Sequence, residues 1–219
     1  MVDHLTHCYR RGTEPFQSLS ALSDADAMLI MQDLYIEGSV LWARFKDPHQ
    51  YLQERRQIEQ WLHKGFIAKG GDPQESYPIY MMLGGPRWAN KMADAATLAT
   101  STEIQVPLSI LEERDVSFTY PDSMTSFWLG RDQPGEHYQP DYHGKVFTLA
   151  EILSIVASKG LPEEGWTINT PDYLPHYIEA QVWNRKPLLE YKRRLYGDEQ
   201  SKMDEDIISE HHHMERRVT

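Results

Sequence analysis

The residues from Thr102 to Leu129 constrain the fold of this chain more than any other stretch. Apolar residues recur there at every second position, in two runs: Ile104 and Val106, then Val116, Phe118 and Tyr120. A period of two residues is typical of strands with one buried face. The stretch therefore predicts strands at 102–109 and 116–120, with a charged, solvent-facing connection between them. Turn residues at 121–123 then lead into an aromatic-rich loop, which either lines a pocket or is an ordinary loop with an aromatic plug.

A third alternating run occurs late in the chain, at Tyr177–Trp183. Glu179 shares one face of this predicted strand with aromatic residues. Burying a carboxylate is costly unless it has a partner or a function, so Glu179 is a candidate for a functional site. The alternative is an exposed strand face on which Glu179 is solvated. The sequence leaves both interpretations open.

Composition and charge limit the kind of protein and its partners. The chain has 219 residues, 40% of them hydrophobic, which is enough for a core without disulfides. Its single cysteine, Cys8, favours a reducing compartment, and no signal peptide or span of about 20 apolar residues is visible. We therefore expect a cytoplasmic protein without a membrane segment. The net charge of -11 argues against broad binding to duplex nucleic acid and favours small-molecule or protein partners.

The remaining local patterns predict helices and strands in mixed order, typical of an α+β fold. We expect strands at 4–9 and 77–83, and helices beginning after Ser23, after Asp47 and after Thr148, with another short helix at 86–96. From Glu190 the chain becomes highly charged with few apolar residues. We predict one α+β domain at 1–196 and a charged tail at 197–219 whose deletion leaves the melting temperature nearly unchanged.

Several short segments together resemble a known family. His4-Leu5-Thr6-His7 is similar to the first-strand motif of the DarT-type ADP-ribosyltransferases, relatives of the poly-ADP-ribose polymerases. Phe16-Gln17-Ser18-Leu19 is similar to the loop that follows, 104–122 to the family's central strand pair, and 177–182 to its catalytic glutamate strand. The resemblance covers most of residues 4–190. It implies an α+β fold of split, antiparallel-rich sheets, two small and packed together, with peripheral helices.

The resemblance also implies an activity, the transfer of ADP-ribose from NAD to a macromolecular acceptor, without a metal. Glu179 matches the catalytic glutamate. The implied NAD-binding residues are His4, Thr6, Arg55, Arg56, Tyr80 and Tyr120. In these roles His4 or Thr6 would orient the ribose and Tyr80 or Tyr120 would stack on the nicotinamide. The pyrophosphate would pair with Arg55 or Arg56, and the sequence does not choose between these two.

This sequence departs from the family in two respects, and two other functions remain open. The segment 76–80 is less basic than in the family, and the net acidity fits poorly with a DNA acceptor. One alternative is a catalytically silent binding module on the same or a similar scaffold. The other is a hydrolase whose metal is held by His137, His143 and His176.

Overall fold

The computed structural model describes residues 2–131, 135, 137–162, 171 and 173–197. The chain divides into two compact units, Met1–Arg185 and Lys186–Thr219. In the second unit, residues 186–197 are helical, and the rest of the predicted charged tail lies outside the described residues. In the first unit the strands are β1 (His4–Arg10), β2 (Ile79–Leu83), β3 (Ser101–Pro107), β4 (Val116–Thr119) and β5 (Glu179–Val182). The helices of that unit are α1 (Asp24–Leu34), α2 (Pro48–Ile67), α3 (Arg87–Met92), α4 (Ala95–Thr100), α5 (Ser123–Arg131) and α6 (Leu149–Lys159).

The five strands form one sheet in the order β3-β1-β2-β5-β4, and every pair of neighbours is antiparallel. The expected mixture of helices with an antiparallel sheet is confirmed. The expectation of two small packed sheets is wrong for the described residues, because β1 and β2 join all five strands into one. The expected central pair is also wrong: β3 and β4 do not pair with each other but lie at opposite edges of the sheet.

The pairing register gives the sheet two different faces. Glu179 is aligned with Met82 and Thr119, and Gln181 with Tyr80 and Ser117, so these side chains share one largely polar face. The opposite face carries buried apolar residues: Leu5, Met81, Ile104, Val106, Phe118, Ala180 and Val182. Glu179 therefore lies on the polar face of the sheet, opposite the apolar face.

Helix α2 provides apolar packing at two sites along its length. Toward its C-terminal end, Ile58, Leu62 and Phe66 form a buried cluster with Val146 and Trp183. At its start, Tyr51 and Leu52 pack with Ala27 and Met31 of α1. The expected start signals are present, since the side chains of Ser23, Asp47 and Thr148 accept backbone N–H bonds at the starts of α1, α2 and α6.

Two local predictions need correction. The single short helix expected at 86–96 is two helices, α3 and α4, because the Asp94 side chain caps a new start. The aromatic-rich loop expected after residue 123 is helix α5. The Asp122 carboxylate accepts the N–H groups of Met124 and Thr125, so the turn chemistry at 121–123 begins a helix.

Among the described residues, no helix combines the length and the apolar character needed to cross a membrane.

Candidate functional site

A cavity of about 720 Å³ opens beside the polar face of the sheet. Its walls come from β1, β2 and β5, the first half of α2, the start of α5, and the segments 33–44, 88–101 and 173–177. This volume lies within the range of small-molecule sites. Because elements from most of the first unit contribute to its walls, the cavity is the best candidate for a functional site among the described residues.

Four of the predicted site residues line this cavity: Thr6, Arg55, Tyr80 and Glu179. Since they lie on β1, α2, β2 and β5, the fold brings together residues that are far apart in the sequence.

The other three predicted residues are not among those that line the cavity. The His4 ring lies 2.9 Å from Asp3 at the start of β1. Arg56 donates to Asp24 at 2.8 Å and to the carbonyl oxygen of Ser20 at 3.3 Å. Tyr120 is buried, with its ring centroid 5.5 Å from that of Tyr142. Of the two adjacent arginines, only Arg55 therefore reaches the cavity wall.

Glu179 is a half-buried carboxylate on the wall of the cavity. Its Oε1 accepts hydrogen bonds from the backbone N–H of Ser123 at 3.0 Å and from Nε2 of Gln181 at 3.1 Å. Burial, and to a lesser extent the nearby charge of Asp122, raise the pKa of Glu179 to about 7, although hydrogen bonds from Ser123 and Gln181 act in the opposite direction. Glu179 therefore changes its charge near neutral pH, as expected of an acid–base group.

Asp122 is the second carboxylate of the cavity. It is only 8% exposed, and its Oδ1 accepts the two N–H groups that begin α5. Its Oδ2 is buried and has no hydrogen-bond partner among the described residues. The sequence analysis did not select Asp122, because its Pro-Asp-Ser setting indicated only a turn.

Arg55 lies in a buried polar network. Its Nε donates to Oε1 of Glu59 at 3.2 Å and to Oγ of Ser20 at 3.1 Å, and its Nη1 donates to the Tyr51 hydroxyl at 3.2 Å. Burial opposes the charge, but Tyr51, Tyr80 and Glu59 more than compensate and raise the pKa of Arg55. Its Nη2 makes no hydrogen bond to a described residue. Arg55 is thus held as a cation with one terminal nitrogen left for a ligand.

Tyr80 and Thr6 have limited freedom to bind a ligand. The Tyr80 hydroxyl donates to Oε1 of Glu59 at 3.1 Å, and the Arg55 guanidinium carbon lies 4.3 Å from the centre of the Tyr80 ring. Thr6 donates its hydroxyl proton to the carbonyl oxygen of Gly84 at 2.6 Å. Thr6 can therefore accept a hydrogen bond from a ligand but has no proton left to donate.

The sequence analysis also missed Tyr51 and Glu59, which hold Arg55 in place. The available signal was their spacing, because positions 51, 55 and 59 are four residues apart and lie along one side of α2. These positions lie on the same side of α2 as Ile58, Leu62 and Phe66, but the spacing alone does not indicate that their polar groups are buried rather than directed to solvent.

Two of the three histidines of the hydrolase alternative, His143 and His176, make the following contacts. His143 is buried, its Nδ1 accepts the backbone N–H of Gln139 at 3.0 Å, and burial lowers its pKa to about 4. Nε2 of His176 lies 3.2 Å from the carbonyl oxygen of Pro171. Within the described part of the chain, no three His, Cys, Asp or Glu side chains are grouped so that they could hold a metal ion.

Comparisons of the chain with protein-family models, with curated proteins and with solved structures found no match.

Proposed function

We propose that this protein is an ADP-ribosyltransferase-like enzyme that transfers ADP-ribose from NAD to a macromolecular acceptor. The observation that carries the proposal is that Glu179 and Arg55 line one cavity. A carboxylate and a fixed arginine in one enclosed space are suited to a ligand with a ribose near one group and a diphosphate near the other. An ADP-ribosyltransferase-like arrangement of the fold is part of the same proposal.

In the proposed reaction, the bond between the ribose carbon and the nicotinamide nitrogen breaks, and nicotinamide leaves as a neutral molecule. The ribose carbon then develops positive charge, and the ionised Glu179 stabilises that charge. A nucleophilic atom of the acceptor forms the new bond to the same carbon and loses its proton. Since the charge exists mainly in the transition state, Glu179 contributes more to turnover than to NAD binding.

The other cavity residues take supporting roles in this proposal. Arg55 pairs through Nη2 with the diphosphate, while its other nitrogens keep it in place. Thr6 accepts a hydrogen bond from a ribose hydroxyl. Because Arg55 covers one face of the Tyr80 ring, only the rest of that ring is free for contact with nicotinamide.

The test begins with NAD titrated into the purified chain while the melting temperature is followed, since a ligand that binds the native state raises it. Release of nicotinamide is then measured by chromatography. We expect Glu179→Gln to abolish nicotinamide release while NAD still raises the melting temperature. We expect Arg55→Lys to weaken NAD binding, with Arg56→Lys, beside it but outside the cavity, as the matched control.

Each contrary result has a definite meaning. NAD binding without turnover by the unmodified protein favours the silent binding module. A melting temperature unaffected by NAD refutes the proposed function altogether. Equal loss of binding in Arg55→Lys and Arg56→Lys contradicts the role given to Arg55.

A further inference from the structure

Asp122 presents a buried carboxylate oxygen that no described group satisfies, beside the carboxyl group of Glu179. Ser123, which donates its N–H to Oε1 of Glu179, directly follows Asp122 in the chain, so the two carboxyl groups are close neighbours. Oδ2 of Asp122 is buried without a hydrogen-bond partner among the described residues. Both residues line the cavity. Unsatisfied carboxylate oxygens in an enclosed space indicate a missing donor.

We propose that Glu179 and Asp122 together form a binding site for a positively charged organic group, such as an ammonium, which enters the cavity and donates to Oδ2 of Asp122 and to the Glu179 carboxylate. The inference does not depend on the transferase proposal, because it requires neither NAD nor a reaction. It assigns Asp122 a role in ligand binding beyond the capping of α5.

Among the described residues, no cation forms an ion pair with Glu179 or Asp122. Arg55 directs its hydrogen bonds to Glu59, Ser20 and Tyr51. The Arg44 guanidinium carbon lies 5.7 Å from the ring centre of Trp42 and 5.4 Å from that of Phe45. The negative charge of the pair is therefore available to a ligand.

The walls of the cavity favour an organic cation over a bare metal ion. Aromatic side chains of Tyr51, Tyr80, Tyr177 and Trp42 line the same space. Aromatic faces attract ammonium groups and contact apolar ligand parts, and within the described residues no third His, Cys, Asp or Glu joins the pair in a group that could hold a metal ion. A flat or apolar molecule that carries one ammonium group could contact the aromatic side chains with its apolar part and the two carboxyl groups with its ammonium.

Proton exchange makes binding sensitive to pH. The groups that interact with Glu179 from the surrounding elements are Asp122 just before α5, Ser123 on α5, Gln181 on β5, Tyr177 before β5 and Tyr80 on β2, and Arg44 and Tyr51 interact with Tyr177. The pKa of Glu179 is about 7, so its charge changes near neutral pH. A cation that enters the site releases the proton of Glu179, so it binds more tightly as the pH rises through 7.

Isothermal titration with benzylammonium, without NAD, tests the proposal, and benzyl alcohol of the same shape serves as the neutral control. We expect binding about tenfold tighter at pH 8 than at pH 6, the ratio of ionised Glu179 at the two values. Titration at pH 6 in two buffers of different ionisation enthalpy should show the release of nearly one proton.

Two variants assign the binding to the pair. Glu179→Gln should weaken benzylammonium binding at least tenfold and remove its pH dependence. Asp122→Asn, which keeps an oxygen that can cap α5, should weaken it by a similar factor. Asp33→Asn is the matched control, because Asp33 also lines the cavity but pairs with Arg10 at an exposed position. We expect this variant to bind as the unmodified protein does.

Three results would overturn the inference: no benzylammonium binding at concentrations on the order of 10 mM, equal binding of benzyl alcohol, or unchanged affinity in folded Glu179→Gln. None of them bears on the transferase proposal, whose test is NAD binding and turnover. Likewise, benzylammonium binding in this manner without any NAD binding would support the inference and refute only the proposed function.

Discussion

Replacement of Glu179 by glutamine should stabilise the folded protein at alkaline pH and leave its stability unchanged at acidic pH. Folding raises the pKa of this carboxyl group from 4.5 to about 7, so the folded state holds its proton more tightly than the unfolded state does. The free energy of unfolding therefore falls as the pH rises from about 4.5 to about 7, and then stays level as far as this group is concerned.

The magnitude follows from the size of the pKa change. A rise in the pKa from 4.5 to about 7 corresponds to about 3 kcal/mol, which the folded state loses once Glu179 is ionised. Glutamine resembles the protonated carboxyl group in shape and is neutral at every pH. Its carbonyl oxygen can still accept from Ser123 and Gln181. We therefore expect Glu179→Gln to gain up to about 3 kcal/mol at pH 8, or about 6–12 °C in melting temperature for a chain of this size.

The assay is urea unfolding of both proteins at pH 5, 6, 7 and 8, with the stability difference plotted against pH. Glu103→Gln is the control, because Glu103 is an exposed strand glutamate and its replacement should change little at any pH. A stability difference that is the same at pH 5 and pH 8 would refute the reasoning, as would a Glu179→Gln protein that is less stable at pH 8. Either result would mean that Glu179 is not a buried carboxylate with a raised pKa.

Three further predictions concern packing and capping. Gly130→Ala should destabilise the protein by several kcal/mol in thermal melts, because the new Cβ would lie 2.4 Å from the Gly144 Cα. This loss would occur although alanine normally favours helices. Gly85→Ala is the control, because the space around its new methyl group is open. Thr148→Ala should cost about 1 kcal/mol through loss of the α6 cap, whereas Thr148→Ser should restore most of it in the same melts. Tyr80→Phe should lower the free energy of unfolding in urea by about 1–2 kcal/mol, because Oε1 of Glu59 loses the hydrogen bond from the Tyr80 hydroxyl. An unchanged free energy of unfolding would show that this hydrogen bond does not stabilise the fold.

The elements that could be predicted from the sequence are those specified by neighbouring residues. The alternation at 177–183 was sufficient for β5, and the Thr148–Glu151 capping pair was sufficient for the start of α6. Helix α5 was missed because Asp122 has the same residue chemistry in a turn and in a helix cap, and only the following backbone distinguishes the two.

The order of the strands could not be predicted, because it depends on long-range pairing. Strands β3 and β4 follow each other in the chain, which favours a paired interpretation, but β1 pairs with β3 and β5 pairs with β4. The cavity also depends on contacts between residues that are far apart in the sequence. Thr6, Arg55, Tyr80 and Glu179 were selected by a family resemblance, and nothing in their local patterns indicated that they would line one space.

Helix α2 links the stability of the fold to the geometry of the cavity. Ile58, Leu62 and Phe66 of this helix pack in the core. Tyr51 and Glu59 hold the Arg55 guanidinium by hydrogen bonds. Both sets are spaced by four residues, so one rotation of the helix about its axis positions both. A rotation that moved Arg55 away from the cavity would also expose Leu62, and the burial of Leu62 therefore helps to fix Arg55. The face of α2 that packs in the core therefore also carries Arg55, which lies seven residues, or two turns, before Leu62.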